Sequence, residues 1–261
     1  MARPERWSTL LDLLADEGRV SVEAASALLG VSVTTLRRDL DQLAQQQMLT
    51  RTRGGAVANA TSYDLPLRYK TSRHASEKQR IGLATASMVQ AGAIVGLNGG
   101  TTTTEVARAI ATRADMYAIS TGPSITVVTN ALNIANELVV RPHVKVVVTG
   151  GVIRPQSYEL IGPFATLLPA QVSLDFAILG VDGIDPDDGA TAHHEGEASI
   201  SQLMVSRARQ VIIVADASKL GVVAFARICP TDKVSALVTD SSAESSLVAR
   251  LRDRGLTVVT A

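Results

Sequence analysis

Residues 21–55 read SVEAASALLGVSVTTLRRDLDQLAQQQMLTRTRGG, and the fold of the N-terminal region turns on this stretch. Ser21 is placed to cap a helix in which Val22, Ala25, Leu28 and Leu29 recur at helical spacing. Gly30, free to take a left-handed conformation, ends that helix. Ser32 opens a second helix, whose Leu36, Leu40 and Leu43 fall on one face at i, i+4 and i+7. At about 100° per residue, Thr34, Arg38, Asp41 and Gln45 point the other way. Thr35 and Gln42 lie on one flank of that face and Arg37 on the other.

A surface helix with Thr, Arg and Gln near its start has the chemistry to enter a major groove. Arg pairs with guanine, Gln with adenine, and Thr reaches a phosphate or a thymine methyl. Residues 48–57 then read as a small hairpin, or wing. Arg51 and Arg53 are two apart, on one face if extended, and Gly54-Gly55 lets the backbone turn close to a phosphate.

Turn, helix and wing together, SVTTLRRDLDQLAQQQMLTRTRGGAV, resemble the DeoR/GlpR family of bacterial transcriptional repressors. The resemblance implies a winged helix-turn-helix that binds double-stranded operator DNA. It carries over Thr34, Thr35, Arg37, Arg38, Arg51 and Arg53 as contacts, with Ser32, Gly54 and Gly55 beside them.

Composition neither demands nor forbids this partner. The 25 Lys and Arg balance the 25 Asp and Glu, so any pull on phosphate is local. From the second helix to the wing, four arginines face two aspartates. The length suits one large domain or two modest ones. A single cysteine, Cys229, rules out an intramolecular disulfide and fits a reducing cytosol. Its apolar neighbours favour a buried thiol. The start, MARPERWSTLL, lacks the apolar core of a signal peptide, and no apolar run reaches spanning length. The expectation is a cytoplasmic protein with no membrane partner.

Before the deciding stretch, residues 4–17 form a helix with Trp7, Leu10, Leu11 and Leu14 inside, stopped by Gly18. Arg19-Val20 is placed to pair with the wing as a short strand. The DNA-binding domain is thus expected over 1–58. Residues 59–75 hold Pro66, Arg68, Lys70 and Arg73 without a clean period, and read as a linker. The third region, 76–261, opens with Ser76 and Gln79 at capping-box spacing. Strand-like runs follow at 93–97, 125–129, 144–149, 176–179, 211–215, 236–239 and 257–259. Helical segments at 104–112, 132–140, 196–207 and 243–254 separate most of them. Continuous β-branched strands alternating with helices imply a largely parallel α/β sheet covered on both faces. Such sheets bind ligands beyond the carboxyl ends of their strands.

Polar and glycine residues gather at those ends. Asn98, Gly99, Gly100, Thr101, Thr102 and Thr103 follow a strand and open a helix, a suitable phosphate cradle. Thr129-Asn130, Thr149-Gly150-Gly151, Asp182-Gly183 and Asp216 to Lys219 follow later strands. GGTTTTEVA, VVTNALNIA, VVVTGGVIR, LDFAILGVDGID and VIIVADASKLG extend the family resemblance across these loops. The family's sensor resembles ribose-5-phosphate isomerase and takes phosphorylated sugars, so the resemblance implies that effector class. It puts the phosphate at residues 99–103 and lines the pocket with Thr129, Asn130, Gly151, Arg154, Asp182, Glu195 and Lys219. Asn98 departs from the family, which usually has an Asp there, and exchanges a charge for a donor. Residues 113–126 are longer than expected, and MYAISTGPS within them suggests a reworked ligand-side or subunit-contact loop.

Two other chemistries compete. His193-His194-Glu195-x-Glu197 suggests a metal, but the cluster has no second half, and no metal or other cofactor is expected. Asp182-Gly183-Ile184-Asp185 resembles the aspartate pair of ribose-5-phosphate isomerases, which makes an isomerase the alternative. The lysine of that pattern is missing from residues 189–194, and Lys219 would have to substitute. No catalytic residue is therefore assigned. The expected mechanism is a repressor, dimeric or tetrameric, that a sugar phosphate releases from DNA, with an activator still open.

Overall fold

In a computed structural model, the chain forms two units, Met1–Arg73 and His74–Ala261. Residues 3–46, 48–57, 67, 74–117 and 122–261 are described. Most of the expected linker, with Arg68, Lys70 and Arg73, lies outside them, as do residues 118–121 of the lengthened loop.

The first unit is α1 (Arg3–Glu17), β1 (Arg19–Ser21), α2 (Val22–Leu29), α3 (Val33–Gln45), β2 (Thr50–Thr52) and β3 (Gly55–Val57). β3 lies between β1 and β2 and is antiparallel to both. Leu10, Leu11, Leu36, Leu40 and Leu43 are fully buried with Trp7, Leu14 and Leu49 around them. Each such side chain contributes roughly 1.5–3 kcal/mol. Ser21 caps α2 by accepting the Ala24 N–H at 3.0 Å, and Gly30 ends it with φ 62°. Leu28 corrects the sequence reading: it is 66% exposed. It stands roughly 120° around the helix from Val22, off the face that Val22, Ala25 and Leu29 share. Ser26 points inward instead and donates to the Val31 carbonyl.

In the second unit, α4 (Ala75–Ser87) begins two residues earlier than the Ser76 capping box requires. Its N-cap is His74, which makes no side-chain cap bond, and the Ser76 hydroxyl turns to Glu77. Next come β4 (Ile94–Leu97), α5 (Thr101–Thr112), β5 (Ile125–Thr129), α6 (Leu132–Leu138) and β6 (Val144–Val148). A hairpin, β7 (Val152–Arg154) and β8 (Glu159–Ile161), leads through α7 (Pro163–Leu167) to β9 (Leu174–Gly180). A second hairpin, β10 (Gly183–Asp185) and β11 (Gly189–Ala192), precedes α8 (Glu195–Arg207) and β12 (Ala208–Val214). β13 (Ala226–Cys229) pairs with β11, and β14 (Ala236–Thr239), α9 (Ser245–Asp253) and β15 (Thr257–Thr260) finish the chain.

The main sheet has seven strands, all parallel, in the order β15-β14-β12-β9-β4-β5-β6. These are the seven runs expected from sequence; the two hairpins and β13 were not expected. Ile81, Val106, Ile110, Ile134 and Leu138 cover one face of the sheet, and Ala198, Ile200, Met204, Val248 and Leu251 the other. The chain moves outward from β4 through β5 to β6, then returns to β9 on β4's other side. β4 and β9 are therefore the switch point, where open α/β sheets form a crevice beyond the carboxyl ends.

The described parts of the lengthened segment lie at the opposite end of the sheet. Arg113 donates to the Ala86 and Val89 carbonyls, and the Tyr117 ring packs 4.0 Å from that of His143. Residues 113–117 and 122–124 thus border the amino ends of the strands, which corrects the ligand-side reading of this loop. Cys229 is buried, and burial pushes its thiol up to about 11.

Candidate nucleic-acid interface and effector pocket

α3 presents two chemically distinct faces. Its inner face carries the three leucines and, unexpectedly, Asp39, which is buried against Arg6 and Trp7. Its outer face shows Thr34, Arg37, Arg38, Asp41 and Gln45 to solvent. Ser32 caps the helix, accepting the Thr35 N–H at 3.1 Å, and the two hydroxyls lie 2.8 Å apart. Thr35 is half-buried in that cap, so Thr34 is the freer of the pair.

The wing treats its arginines differently. Arg51 pairs with Asp41 at 2.7 Å and donates to the Gly55 carbonyl, so it braces the wing against α3. Arg53 is exposed beside Gly54 at the turn. Arg37, Arg38 and Arg53 make no ion pair among the described residues. Gly55 is buried, and a Cβ on it would sit 1.8 Å from the Val20 carbonyl oxygen. Close packing of β1 on β3 therefore explains this glycine. Gly54 has open space around it.

In the second unit, polar groups converge on the switch point. Asn98 leaves β4 and exchanges two hydrogen bonds with Gly180 at the end of β9: Nδ2 donates to the carbonyl at 2.9 Å and Oδ1 accepts the N–H at 2.8 Å. Nδ2 also reaches Ser201 Oγ at 3.2 Å. Both polar atoms of Asn98 are thus engaged in tying β4 to β9 and α8. α5 starts at Thr101 behind Gly100, and the Thr103 and Thr104 hydroxyls fold back on the Gly100 carbonyl. The first N–H groups of α5 stay free of intrahelical partners, as at any helix start.

One side chain here was missed in the sequence. Glu159, at the start of β8, is 2% exposed, and its Oε1 accepts the Gly99 N–H. A Cβ at residue 99 would overlap that carboxyl group. Burial pushes Glu159 up to about 8; the charges of Glu197 and Asp182 add to this, while the Gly99 N–H and the Asn130 amide oppose it. No local pattern marks Glu159, since it opens a three-residue strand that periodicity does not register. Asn130 is fully buried and bonded to Leu160 through its side chain at 3.2 Å and its backbone at 2.7 Å. Arg154 reaches Glu197 at 3.1 Å, and Asp182 accepts the His193 N–H at 2.9 Å. Glu159 Oε2, Asn130 Oδ1, Thr149 Oγ1 and Asn133 Oδ1 are buried with no hydrogen-bond partner among the described residues.

The remaining candidates divide. Thr129 turns its hydroxyl to the Ala131 N–H, and Gly151 packs against Ile161 and Ala165. Glu195 is exposed in the first turn of α8. Lys219 sits in the turn after β12 and makes no ion pair among the described residues. The metal and isomerase readings find little here. His194 caps α8 by accepting the Gly196 N–H, and among the described residues no three His, Cys, Asp or Glu side chains are placed to hold a metal. Asp185 accepts the N–H groups of Asp187 and Asp188, so the would-be proton shuttle is a turn cap. A separate open groove lined by Thr166, Leu167, Gln171, Ser199 and Gln202 has no titratable side chain.

Residues 6–62 match the DeoR-like helix-turn-helix domain and residues 73–241 the DeoR C-terminal sensor domain. The chain is 30% identical to the glycerol-3-phosphate regulon repressor of Escherichia coli (strain K12), over 97% of each protein. It is 31% identical to the HTH-type transcriptional repressor GlcR of Bacillus subtilis (strain 168), over 92% of this chain and 89% of that one. Among solved structures, the full-length sorbitol operon regulator SorC from Klebsiella pneumoniae aligns with a TM-score of 0.42 and 12% identity, over 96% and 99% of the two chains. Ribose 5-phosphate isomerase A from Methanocaldococcus jannaschii aligns with a TM-score of 0.41 and 14% identity, over 56% and 54%. The chain belongs to the DeoR family of DNA-binding transcriptional regulators, in which a helix-turn-helix domain precedes a sensor domain.

Proposed function

We propose that this protein represses carbohydrate-metabolism genes in the cytoplasm and leaves its operator when a phosphorylated sugar binds the sensor unit. The observation that carries the effector half is the cluster of polar groups at the carboxyl ends of β4 and β9. There, glycines and threonines open α5, and buried polar atoms stand without partners. A phosphate at residues 99–103 would meet the free N–H groups of the first turn of α5 and the positive end of that helix, while the Gly99 N–H is held by Glu159. Thr101 and Thr102 flank that position, and Asn130, Arg154 and Asp182 lie on the loops around it. The relative named for the glycerol-3-phosphate regulon supports a phosphorylated ligand.

Contacts to DNA come from Thr34, Arg37, Arg38 and Arg53, with Arg51 positioning the wing. Operators of this kind are commonly repeated, so the working form is a homo-oligomer, dimer or tetramer. Each effector need shift the balance between DNA-binding and released arrangements by only about 1–3 kcal/mol.

A gel-shift titration on DNA upstream of the protein's own gene, repeated with a panel of sugar phosphates and the free sugars, tests both halves. A specific shift reversed by one phosphorylated sugar supports the whole reading. A salt-sensitive shift that no sugar phosphate reverses would keep the DNA half and sink the effector half.

A further inference from the structure

The tie between β4 and β9 does not run through Glu159. Asn98 already ties β4 to β9, and the β7–β8 hairpin closes through its own backbone pairing. Yet a carboxyl group is buried here, 2% exposed, at a desolvation cost that only a use for it offsets. One oxygen takes the Gly99 N–H, at the edge of the turn that opens α5. The other, Oε2, is buried and unpartnered. The next residue, Leu160, is bonded to Asn130, whose own Oδ1 is also buried and unpartnered. Two buried oxygens here thus lack a protein partner, and an occupant that both donates and accepts would match them.

We propose that Glu159 is a specificity residue of this pocket, and that with Asn130 it reads a hydroxyl on the carbon chain of a ligand whose phosphate lies at residues 99–103. A hydroxyl is donor and acceptor at once, so it suits the carboxyl group whether or not it carries a proton. A methylene in its place leaves both buried oxygens unmatched, the situation in which sites discriminate most strongly. The occupant is a polyhydroxy phosphate ester; a bare phosphate or a fully deoxygenated ester would hold the turn but not this corner. The inference rests on the phosphate-sensor reading above.

Isothermal titration of the full-length protein tests it. The probes are inorganic phosphate, glycerol 3-phosphate, ribose 5-phosphate, glucose 6-phosphate and fructose 6-phosphate. The 2-deoxy analogues of ribose 5-phosphate and glucose 6-phosphate accompany them, with singly deoxygenated forms of whichever ester binds best. The wild type should bind its best ester at least tenfold more tightly than the analogue lacking the hydroxyl that is read. In Glu159→Ala, which removes the group altogether, the ratio between ester and analogue should collapse towards one. Glu159→Gln keeps an acceptor for Gly99 and a donor in place of the protonated oxygen, so it should retain most of the ratio, and circular dichroism of both variants controls for folding. An unchanged ratio in Glu159→Ala, or no deoxygenated analogue weaker than its parent in the wild type, would overturn the role of Glu159 and leave the phosphate site standing. If no phosphorylated probe binds the wild type, the phosphate-sensor reading falls, and this inference falls with it.

Discussion

Asp39 Oδ1 accepts the indole N–H of Trp7 at 2.9 Å while its Oδ2 pairs with Arg6 at 2.5 Å, so α3 is locked to α1 by a charge on its inner face. The hydrogen bond that Arg6 donates to Asp39 raises the Arg6 pKa above its ordinary value. Asp39→Asn would remove one buried charge from this pair, a loss of about 3 kcal/mol. Trp7 is the chain's one tryptophan, so urea unfolding followed by its fluorescence reports this unit selectively. A midpoint unchanged in Asp39→Asn would show that the pair contributes nothing net.

Arg38 and Arg53 should fail in different ways. If Arg38 reads a base from α3, Arg38→Ala costs about 1–3 kcal/mol on the specific operator and less on unrelated DNA. Arg53, exposed on the wing, meets phosphate in this reading. Arg53→Ala should weaken binding to all sequences alike and lower the salt slope by about one. Fluorescence anisotropy across a salt series separates the two, and an Arg38→Ala protein with wild-type specificity removes Arg38 from the list of contacts.

The adjacent wing glycines should also part company. Gly55→Ala would drive a methyl group into the Val20 carbonyl, so β1 and β3 must separate or the wing must tilt. Gly54→Ala meets nothing within 4 Å. Operator affinity should fall at least tenfold in the first variant and stay within twofold in the second. Equal losses in both would mean that Gly54 approaches DNA closely, as the turn chemistry alone suggests.

These residues show what the sequence can and cannot disclose. Caps and periodic leucines are local, so Ser21, Gly30, Ser32 and the α3 face are readable from a few neighbours. All seven parallel strands were readable because burial on both faces makes each a continuous apolar run. Asp39 and Glu159 were not, because each is defined by a partner far along the chain: Arg6 in one case, Gly99 in the other. Asn98 was noticed as a departure, but its bonds to Gly180 exist only once β4 and β9 are neighbours. The two hairpins of the second unit escaped because strands of three or four residues carry no measurable period.

Thr101 and Thr102 test the phosphate turn without disturbing its shape. Replacing both with valine removes two hydroxyls and keeps the side-chain volume. DNA affinity should be unaltered, while release by the sugar phosphate is lost. A full response in the double variant would place the phosphate away from residues 99–103.

Glu159 also gives stability a pH dependence whose sign follows from its environment. Its carboxyl titrates near 8 in the folded protein, against an ordinary value of 4.5. The charged groups around it are Arg154 on β7, Glu197 on α8 and Asp182 after β9, and Arg154 is already shared with Glu197. Between the two pKa values the unfolded chain has released this proton and the folded chain still holds it. Rising pH therefore favours unfolding across that window, and the contribution present below pH 4.5 is gone above 8. Glu159→Gln carries no proton to lose, so its melting temperature should fall less than that of the wild type between pH 5 and 9, with the curves diverging most towards pH 8. Differential scanning calorimetry of the two proteins over that range decides the matter: parallel curves would mean that the Glu159 carboxyl is ionised at neutral pH despite its burial.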